Sequence, residues 1–266
     1  MEIIPAEISD LAGISGIING GSIDTVYHLA ANNTNTGGAV SPYEIFETNI
    51  RGTYTVLEAC RMAAKPARAV LASSKEVEDC FSEKPSRKSH PYMASKASVE
   101  LIARAYHDSF QLPTVVLRSD NIYGGGDFNW SRLIPGTIRS VLRGETPVIR
   151  GNGLLQRDYT YVEDAVAAYL AIGERLDSMD VQGRLFRIAT GVGTSVLEVV
   201  KQIVRAAGRP DLQPRVLNEA SDERVDTFHR EIEQTAPGWK CQYSLERGLG
   251  RACGWYRDFF KEEASV

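Results

Sequence analysis

The sequence lacks the features of a secreted, membrane-spanning or nucleic-acid-binding protein. Its four cysteines include no Cys-x-x-Cys pair, so we expect reduced thiols, no disulfide framework and no bound metal. No apolar run approaches the roughly 20 residues that span a bilayer, and residues 1–10 have neither a basic start nor an apolar leader segment. The formal net charge of -4 gives no broad basic field for nucleic acid or an anionic membrane. These absences predict a cytoplasmic protein.

The chain instead alternates short β-branched apolar runs with longer segments of helical period. Its 266 residues are 43% hydrophobic and 24% charged, which is ordinary for a globular protein. The alternation predicts the α/β class, with a mostly parallel sheet and helices on both of its faces. We predict strands at residues 23–30, 69–73, 114–118, 147–150 and 185–189. We predict helices at residues 13–20, 42–64, 92–110 and 133–143, and we expect residues 195–207 and 245–260 to complete a smaller lobe.

Three glycines at residues 124–126 interrupt this alternation and begin a region of shorter elements. We interpret this point as the start of a second, smaller lobe. The segment 159–170 and the strand at 185–189 are expected to return to the sheet. The predicted division therefore assigns residues 1–127 and 157–190 to a first domain and residues 128–156 and 191–266 to the smaller lobe.

One pair of side chains suggests chemistry. Tyr92 and Lys96 are four residues apart in a predicted helix, so both project from the same face. An ammonium beside a phenol stabilises phenolate and lowers a tyrosine pKa from about 10, which makes Tyr92 a candidate general base. Such a pair is also common on any exposed helix. It gains meaning from Ser73 and Ser74, which end the preceding strand at the ligand-facing edge of an α/β sheet.

A series of motifs surrounds this pair in a fixed order. The segments are residues 27–31 (YHLAA), 49–53 (NIRGT), 57–59 (LEA), 92–96 (YMASK), 118–124 (RSDNIYG) and 157–164 (RDYTYVED). In these motifs the sequence resembles the extended short-chain dehydrogenase/reductases of the NAD-dependent epimerase/dehydratase family, which act on nucleotide sugars. Residues 124–136 are most similar to the CDP-glucose 4,6-dehydratase branch of that family.

The resemblance implies a Rossmann-like domain that binds NAD and a smaller C-terminal lobe that binds a nucleoside-diphosphate sugar. Tyr92 would take the proton of the sugar 4-hydroxyl, Lys96 would hold the nicotinamide ribose, and Ser74 would hydrogen-bond the reacting oxygen. Further cofactor contacts are implied for Leu29, Ala30, Ala31, Asn49 and Ser73. Substrate contacts are implied for Asn121, Arg132, Arg157 and, more weakly, Arg224.

Simpler structural roles stay open for three polar residues in these motifs. Arg157 could form an ion pair with Asp158 or Asp164 instead of binding a diphosphate. Asn49 could tie a helix to a strand. His28, in a strand predicted to be buried, is expected to be a hydrogen-bonded core histidine and not a catalytic or metal-binding one.

Two departures from the family pattern bear on function. The sequence contains no glycine-rich turn of the kind that holds the NAD pyrophosphate, and we interpret residues 13–20 as a helix that ends at the glycines 20–21. We therefore expect a Rossmann-like sheet that is truncated at its N-terminal side.

The second departure is Lys75, which follows Ser74 where dehydratases carry an acidic residue. Glu76 is then the candidate base for water elimination.

These features lead to one leading hypothesis and two alternatives. The leading hypothesis is an NAD-dependent nucleotide-sugar 4,6-dehydratase, in which oxidation at C4 precedes elimination of water. A nucleotide-sugar 4-epimerase needs only Tyr92, Lys96, Ser74 and reversible hydride transfer, so Lys75 does not count against it. The third hypothesis is a non-catalytic relative that binds a sugar nucleotide or a partner chain. The resemblance also implies a homodimer, because many relatives pair through two of their helices.

Overall fold

The protein has the α/β architecture that the sequence predicts. The computed structural model describes residues 1–33, 40–83, 85, 88–219 and 235–263. The helices are α1 (Leu11–Gly20), α2 (Pro42–Phe46), α3 (Gly52–Met62), α4 (Val77–Cys80), α5 (Pro91–Phe110), α6 (Leu133–Leu142), α7 (Val162–Glu174), α8 (Val196–Ala206) and α9 (Leu245–Glu263). The strands are β1 (Thr25–His28), β2 (Arg68–Ser74), β3 (Thr114–Ser119), β4 (Asn121–Tyr123), β5 (Val148–Ile149), β6 (Gln156–Arg157), β7 (Tyr159–Tyr161), β8 (Arg184–Ile188), β9 (Thr194–Ser195) and β10 (Arg215–Val216). Within these described ranges, no helix is both long and apolar enough to cross a membrane.

The main sheet joins parallel strands in the order β1-β2-β3-β8. Val70, Val115 and Leu117 in the two middle strands have no exposed surface, as is typical of parallel strands covered on both faces. In β1 only His28 is buried. The strand predicted at residues 23–30 is therefore correct in place but wrong in length and in burial, because β1 pairs with β2 alone among the strands that the structure describes.

Helices cover both faces of this sheet. On one face, α1, α3 and α5 pack against it through Ile18, Leu57 and Val99. On the opposite face lies the second half of α7, where the phenol of Tyr27 fills the space that a side chain at Gly173 would need. These contacts confirm the prediction of a parallel sheet between two layers of helices.

The helix predicted at residues 42–64 begins as its sequence indicates. Ser41 Oγ accepts the backbone N–H of Glu44 at 3.2 Å, and the Glu44 carboxylate accepts the N–H of Ser41 at 2.8 Å. This reciprocal cap satisfies two N–H groups that have no partner within the helix. Beyond α2 the helix is not regular, because a π-helical turn at Glu47–Arg51 separates α2 from α3.

Helix α1 occupies the segment whose glycines resemble a phosphate-binding loop. Asp10 caps its start by accepting the N–H of Ala12 at 3.1 Å, and the helix ends at Gly20 with Gly21 as its cap. The interpretation of residues 13–20 as a helix is confirmed.

The chain divides into two compact units. Unit 1 comprises Met1–Ser119, Ala168–Ile188 and Gln234–Trp239, and unit 2 comprises Asp120–Ala167, Ala189–Glu233 and Lys240–Val266. Residues 120–127 and 157–167, which the sequence-based division assigns to the first domain, belong to unit 2. One of the boundaries, between residues 167 and 168, falls within α7, so one continuous helix contributes to both units. The function assigned to each unit stays a prediction.

Unit 2 has its own core, in which α6, α8 and α9 pack around Ile138, Ile203, Leu249 and Tyr256. The helix predicted at residues 133–143 is confirmed, and the segments 195–207 and 245–260, expected to complete the smaller lobe, contain α8 and α9. Residues 159–161 do not join the main sheet, contrary to the prediction for the segment 159–170. They form β7, which pairs in parallel with β4, and only the part of α7 from residue 168 onward belongs to the unit that contains the main sheet. The reason is that a short apolar strand can pair in either place, and its neighbour β4 lies too far along the chain for local pattern to indicate it.

Candidate active site

Tyr92 and Lys96 lie on one face of α5, as their spacing predicts. The helix begins at Pro91, so Tyr92 belongs to its first turn and Lys96 to the next. The Nζ atom of Lys96 lies 5.9 Å from the centroid of the Tyr92 ring. The structure therefore places an ammonium close enough for its charge to act on the phenol.

Lys96 is 4% exposed although it is a charged residue. Its Nζ donates to the carbonyl of Ala72 at 2.8 Å, which anchors α5 to β2 two residues before Ser74. Burial lowers the pKa of Lys96 from 10.5 to about 8, because removal from water penalises the charged form. A buried ammonium reduces stability, and side chains of this kind concentrate at functional sites.

The π-helical turn at Glu47–Arg51 carries Asn49 into the interior. Asn49 Oδ1 accepts the N–H of Asn32 at 2.7 Å, and its Nδ2 donates to the Asn32 carbonyl at 2.9 Å and to Ser95 Oγ at 2.8 Å. Ser95 in turn donates to the carbonyl of Tyr92 at 2.7 Å. One amide thus connects the segment after β1 to the helix that carries Tyr92. Asn49 therefore ties the segment after β1 to α5. Its contact with the cofactor stays a prediction.

His28 continues this network into the sheet. It is 6% exposed, and its Nε2 lies 2.9 Å from Thr53 Oγ1. The Thr53 hydroxyl donates its own proton to the Asn49 carbonyl at 2.6 Å, so the bond to His28 requires a proton on Nε2. Burial, with the charge of Lys96 as a smaller cause, lowers the pKa of His28 from 6.5 to about 4. His28 is therefore a neutral, hydrogen-bonded core histidine, as the sequence predicts.

Ser73 and Ser74 point to opposite faces of the sheet, as successive strand residues do. Ser73 Oγ donates to Glu100 at 2.5 Å, and Arg118 binds the same carboxylate through two nitrogens at 2.8 and 2.7 Å. The hydroxyl of Ser73 is thereby used inside the protein, and its cofactor contact stays a prediction. No sequence motif gives a signal for Glu100, because its role depends on the packing of α5 on β2 and β3.

Ser74, Glu76 and Tyr92 come together through a residue that the motifs do not indicate. Ser74 Oγ accepts the N–H of Glu76 at 3.3 Å. Glu76 Oε2 lies 3.6 Å from His90 Nε2. The ring of His90 is nearly parallel to that of Tyr92, with 8° between the planes and 6.3 Å between the centroids. The carboxyl end of β2 and the start of α5 therefore form one polar cluster.

The predicted contacts to the nicotinamide half of NAD fit the residues present. Leu29, Ala30 and Ala31 follow β1 and are exposed, Leu29 by 58%. They lie at the carboxyl ends of parallel strands, where open α/β sheets bind ligands. Exposed apolar side chains suit contact with a planar ring, and the Tyr92 and Lys96 side chains suit ribose hydroxyls. These five residues would hold the nicotinamide riboside.

In unit 2, the predicted substrate residue Asn121 is fixed by Asp158. Its Nδ2 donates to the Asp158 carbonyl at 2.8 Å. The fully buried Asp158 carboxylate accepts the N–H and hydroxyl of Thr190 at 3.0 and 2.8 Å and the N–H of Gly191 at 2.7 Å. Burial raises the pKa of Asp158, and these donors oppose that rise. Asn121 and Asp158 stabilise unit 2, and contact of Asn121 with substrate stays a prediction.

The arginines of unit 2 that are predicted to contact substrate lie on separate elements. Arg157 belongs to β6, which pairs with β9 in antiparallel fashion. Arg132 directly precedes α6, and its Nη1 binds Asp127 Oδ2 at 3.0 Å while 45% of its side chain stays exposed. Arg224 lies outside the described residues. Regular secondary structure thus fixes the backbone of Arg157, whereas Arg132 is held mainly by its ion pair.

A curated relative resembles most of this chain. The trifunctional UDP-glucose 4,6-dehydratase/UDP-4-keto-6-deoxy-D-glucose 3,5-epimerase/UDP-4-keto-L-rhamnose-reductase of Arabidopsis thaliana is 29% identical over 246 residues. The match covers 88% of this chain and 36% of that protein. The chain therefore spans little more than a third of the length of this relative.

Two solved structures share the fold. The UDP-glucose 4-epimerase of Thermotoga maritima, solved with UDP-glucose, gives a TM-score of 0.78 at 24% identity and covers 96% of this chain and 84% of its own. The dTDP-glucose 4,6-dehydratase of Bacillus anthracis, solved with NAD, gives a TM-score of 0.77 at 24% identity, and the match covers 97% of this chain and 80% of that one. The model of the NAD dependent epimerase/dehydratase family matches residues 2–189. This chain therefore belongs to the NAD-dependent epimerase/dehydratase family of enzymes.

Proposed function

We propose that this chain carries the catalytic residues of an NAD-dependent nucleotide-sugar 4,6-dehydratase. The observation that carries the proposal is the bond from Lys96 Nζ to the Ala72 carbonyl, because it holds α5 against the end of β2. Tyr92 then shares one polar cluster with Ser74 and Glu76. A phenol, a nearby cation, a hydroxyl and a carboxylate are the groups that oxidation at C4 followed by elimination requires. The name of the Arabidopsis thaliana relative includes this activity.

In the oxidation step, Tyr92 takes the proton of the C4 hydroxyl and Ser74 orients that hydroxyl by a hydrogen bond. Lys96 stabilises the phenolate form of Tyr92 by its charge. Because the pKa of Lys96 is about 8, this charge is present at neutral pH. When it is bound, NAD would supply a reversible hydride carrier, which accepts the hydride of C4 and gives it back at C6 after the elimination.

In the elimination step, Glu76 takes the proton of C5, which is acidified by the neighbouring C4 carbonyl. The electron pair of the C5–H bond moves into that carbonyl to give an enolate. The C6–O bond then breaks, and the hydroxyl leaves as water with a proton taken from solvent. C5 regains the proton held by Glu76 when the hydride is returned to C6, which gives the 4-keto-6-deoxy sugar. Glu76 suits this role because its carboxylate follows the strand end directly and its own N–H contacts Ser74.

The proposed substrate is a nucleoside-diphosphate sugar. Arg132 and Arg157 would bind the diphosphate, since a guanidinium matches pairs of phosphate oxygens. Asn121 would contact the sugar, and Arg224 would be a further phosphate ligand. UDP-glucose in the solved 4-epimerase structure is of this substrate class. The cytoplasmic location and the homodimer expected from the sequence belong to the same proposal.

A 4-epimerase is the second candidate, and Lys75 is the observation that favours it. Lys75 stands directly between Ser74 and Glu76, at the position where the resemblance to dehydratases calls for an acid. Epimerisation requires no general acid there, because hydride leaves C4 and returns to it without loss of water. The two candidates share Tyr92 and Lys96, and they differ in their need for Glu76.

The product distinguishes the candidates. The purified protein is incubated with NAD and either UDP-glucose or dTDP-glucose, and the sugar is analysed by mass spectrometry and NMR. A dehydratase gives a product lighter by one water with a C6 methyl group, whereas an epimerase gives an unchanged mass with C4 inverted. The Tyr92→Phe variant should lower either rate by about 100- to 10,000-fold. If no product forms and calorimetry detects no NAD binding, the non-catalytic hypothesis replaces both.

A further inference from the structure

The first residue before α5 has two contacts beyond the helix that it caps. His90 Nδ1 accepts the backbone N–H of Met93 at 3.3 Å, which is the N-cap bond of α5. Its Nε2, on the other side of the ring, lies 3.6 Å from Glu76 Oε2. The ring itself lies alongside that of Tyr92. His90 therefore contacts the proposed C5 base while it is a ring neighbour of the proposed C4 base.

The cap fixes which nitrogen of His90 carries the proton. A nitrogen that accepts an N–H group has no proton of its own, so the neutral ring must be protonated on Nε2. Nε2–H is thus a donor that faces the Glu76 carboxylate. While the cap is intact, His90 is able to hold this carboxylate but not to take a proton from it at Nε2.

The separation of 3.6 Å is longer than a hydrogen bond. Contacts between catalytic groups are often long in ligand-free proteins and shorten in the substrate complex. Both side chains are partly shielded, with 31% of His90 and 20% of Glu76 exposed, so a small movement of either would close the gap without large loss of solvent contact.

We propose that His90 is a positioning residue that aims the Glu76 carboxylate at the C5 proton of the 4-keto sugar. This inference rests on the proposed dehydratase function. In the step concerned, the C5–H bond breaks, the proton moves to Glu76, and the electron pair enters the C4 carbonyl. His90 gains and loses no proton. It fixes Glu76 relative to Tyr92, so that both bases can reach the same sugar ring.

Two substitutions separate this role from helix capping. In His90→Asn, the amide oxygen replaces Nδ1 as the cap acceptor, and the shorter side chain at residue 90 no longer extends to Glu76. In His90→Gln, the longer amide presents an N–H group near the former Nε2, but Gln caps poorly. We expect His90→Asn to melt at or above the wild-type temperature and to lower the ratio of dehydration rate to C4 oxidation rate by about 10- to 100-fold. His90→Gln should melt lower and retain most of that ratio.

If His90 only caps the helix, His90→Asn should retain the ratio of dehydration rate to C4 oxidation rate and His90→Gln should lower it. That result would overturn the proposal. A second readout needs neither cofactor nor substrate. The chain has only four histidines, so ¹⁵N NMR can assign the His90 tautomer in the wild-type protein and in Glu76→Gln. A proton on Nε2 whose signal moves in Glu76→Gln supports the contact, and a proton on Nδ1 or an unmoved signal refutes it. If the wild type forms no dehydrated product, the proposed function fails, and the NMR result alone then decides whether His90 holds Glu76.

Discussion

The two units position their predicted functional residues in different ways. In unit 1, Tyr92 and Lys96 lie on one long helix, and a single bond from Lys96 anchors that helix to the end of a strand. In unit 2, Asn121 and Arg132 lie on a three-residue strand and just before a helix, and each has a partner within unit 2. Unit 1 thus relies on the regularity of its elements, whereas unit 2 relies on individual polar contacts.

This difference predicts different responses to mutation. A catalytic side chain on a long helix can be removed without loss of the scaffold, and removal of a buried charge should even stabilise it. A polar side chain that holds short strands together cannot be removed without structural cost. Stability measurements on matched variants therefore test whether the comparison holds.

The largest effect is expected for Asp158→Ala in unit 2. The variant leaves the N–H groups of Thr190 and Gly191 without their acceptor in the interior, so the free energy of unfolding should fall by about 3 kcal/mol. Urea denaturation measures the change. Asp158→Asn, which keeps one acceptor oxygen, should lose less. If Asp158→Ala lowered the free energy of unfolding by less than about 1 kcal/mol, unit 2 would not depend on this contact.

The second-largest effect is expected for Asn49→Ala in unit 1, which should lower the free energy of unfolding by about 2 kcal/mol. Asn49 is the exception to the regularity of unit 1, because three hydrogen bonds to Asn32 and Ser95 depend on one amide. The control is Thr48→Ala, which removes a partly exposed bond to the Asn32 side chain and should cost about 0.5 kcal/mol. Equal losses in the two variants would show that the interior amide has no special role.

Lys96→Met is expected to change stability in the opposite direction. At pH 7 it should raise the free energy of unfolding by about 1 to 2 kcal/mol, because the cost of burying the ammonium exceeds the contribution of its bond to the Ala72 carbonyl, while activity is lost. The exposed Lys65→Met is the control and should change stability by no more than about 0.5 kcal/mol.

The same residue gives a pH dependence with a defined sign. The folded pKa of Lys96 is about 8, below the 10.5 of the free side chain, so between these values the unfolded state binds more protons. The stability of the wild type should therefore rise relative to Lys96→Met as the pH rises from 8 toward 10.5. A constant difference across this range would contradict the lowered pKa.

The smallest effect on stability is expected for Arg132→Ala. Its ion pair with Asp127 is about half exposed on the arginine side, so the loss should be within about 0.5 kcal/mol. If Arg132 binds the substrate diphosphate, KM for the sugar nucleotide should rise about 10-fold. Asp127→Ala is the matched variant, because it breaks the same ion pair without removing the cation. An equal rise in KM for both would limit Arg132 to the ion pair.

The parts of the fold that the sequence predicts correctly are those that local rules determine. Helical spacing places Tyr92 and Lys96 on one face, and Ser41 before a proline marks the start of a helix. The family motifs identified the candidate residues of unit 1 as well. The fully buried strands of the main sheet were also predictable, since short continuous apolar runs are typical of parallel strands that are covered on both faces.

The rest depended on contacts between distant parts of the chain. The π-helical turn has no sequence signal, because it is stabilised by the contacts of Asn49 with Asn32 and Ser95, which lie elsewhere in the chain. Residues 159–161 pair with β4 and not with the main sheet, and the apolar pattern alone cannot decide between the two. His90 gave no signal either, because its contact with Glu76 arises only when α5 and β2 are assembled.

The π-helical turn at Glu47–Arg51 also determines how this segment tolerates a change in length. Such a turn contains one residue more than a regular helix would use, and one residue corresponds to about 100° of rotation along an α-helix. Deleting any residue within the turn would let α2 and α3 join into one continuous helix with better internal hydrogen bonds. The elements on either side would then be rotated relative to each other, and Asn49 would no longer face both Asn32 and Ser95. The number of residues here is therefore fixed by the active-site framework, at the expense of the most stable helix that the segment could form.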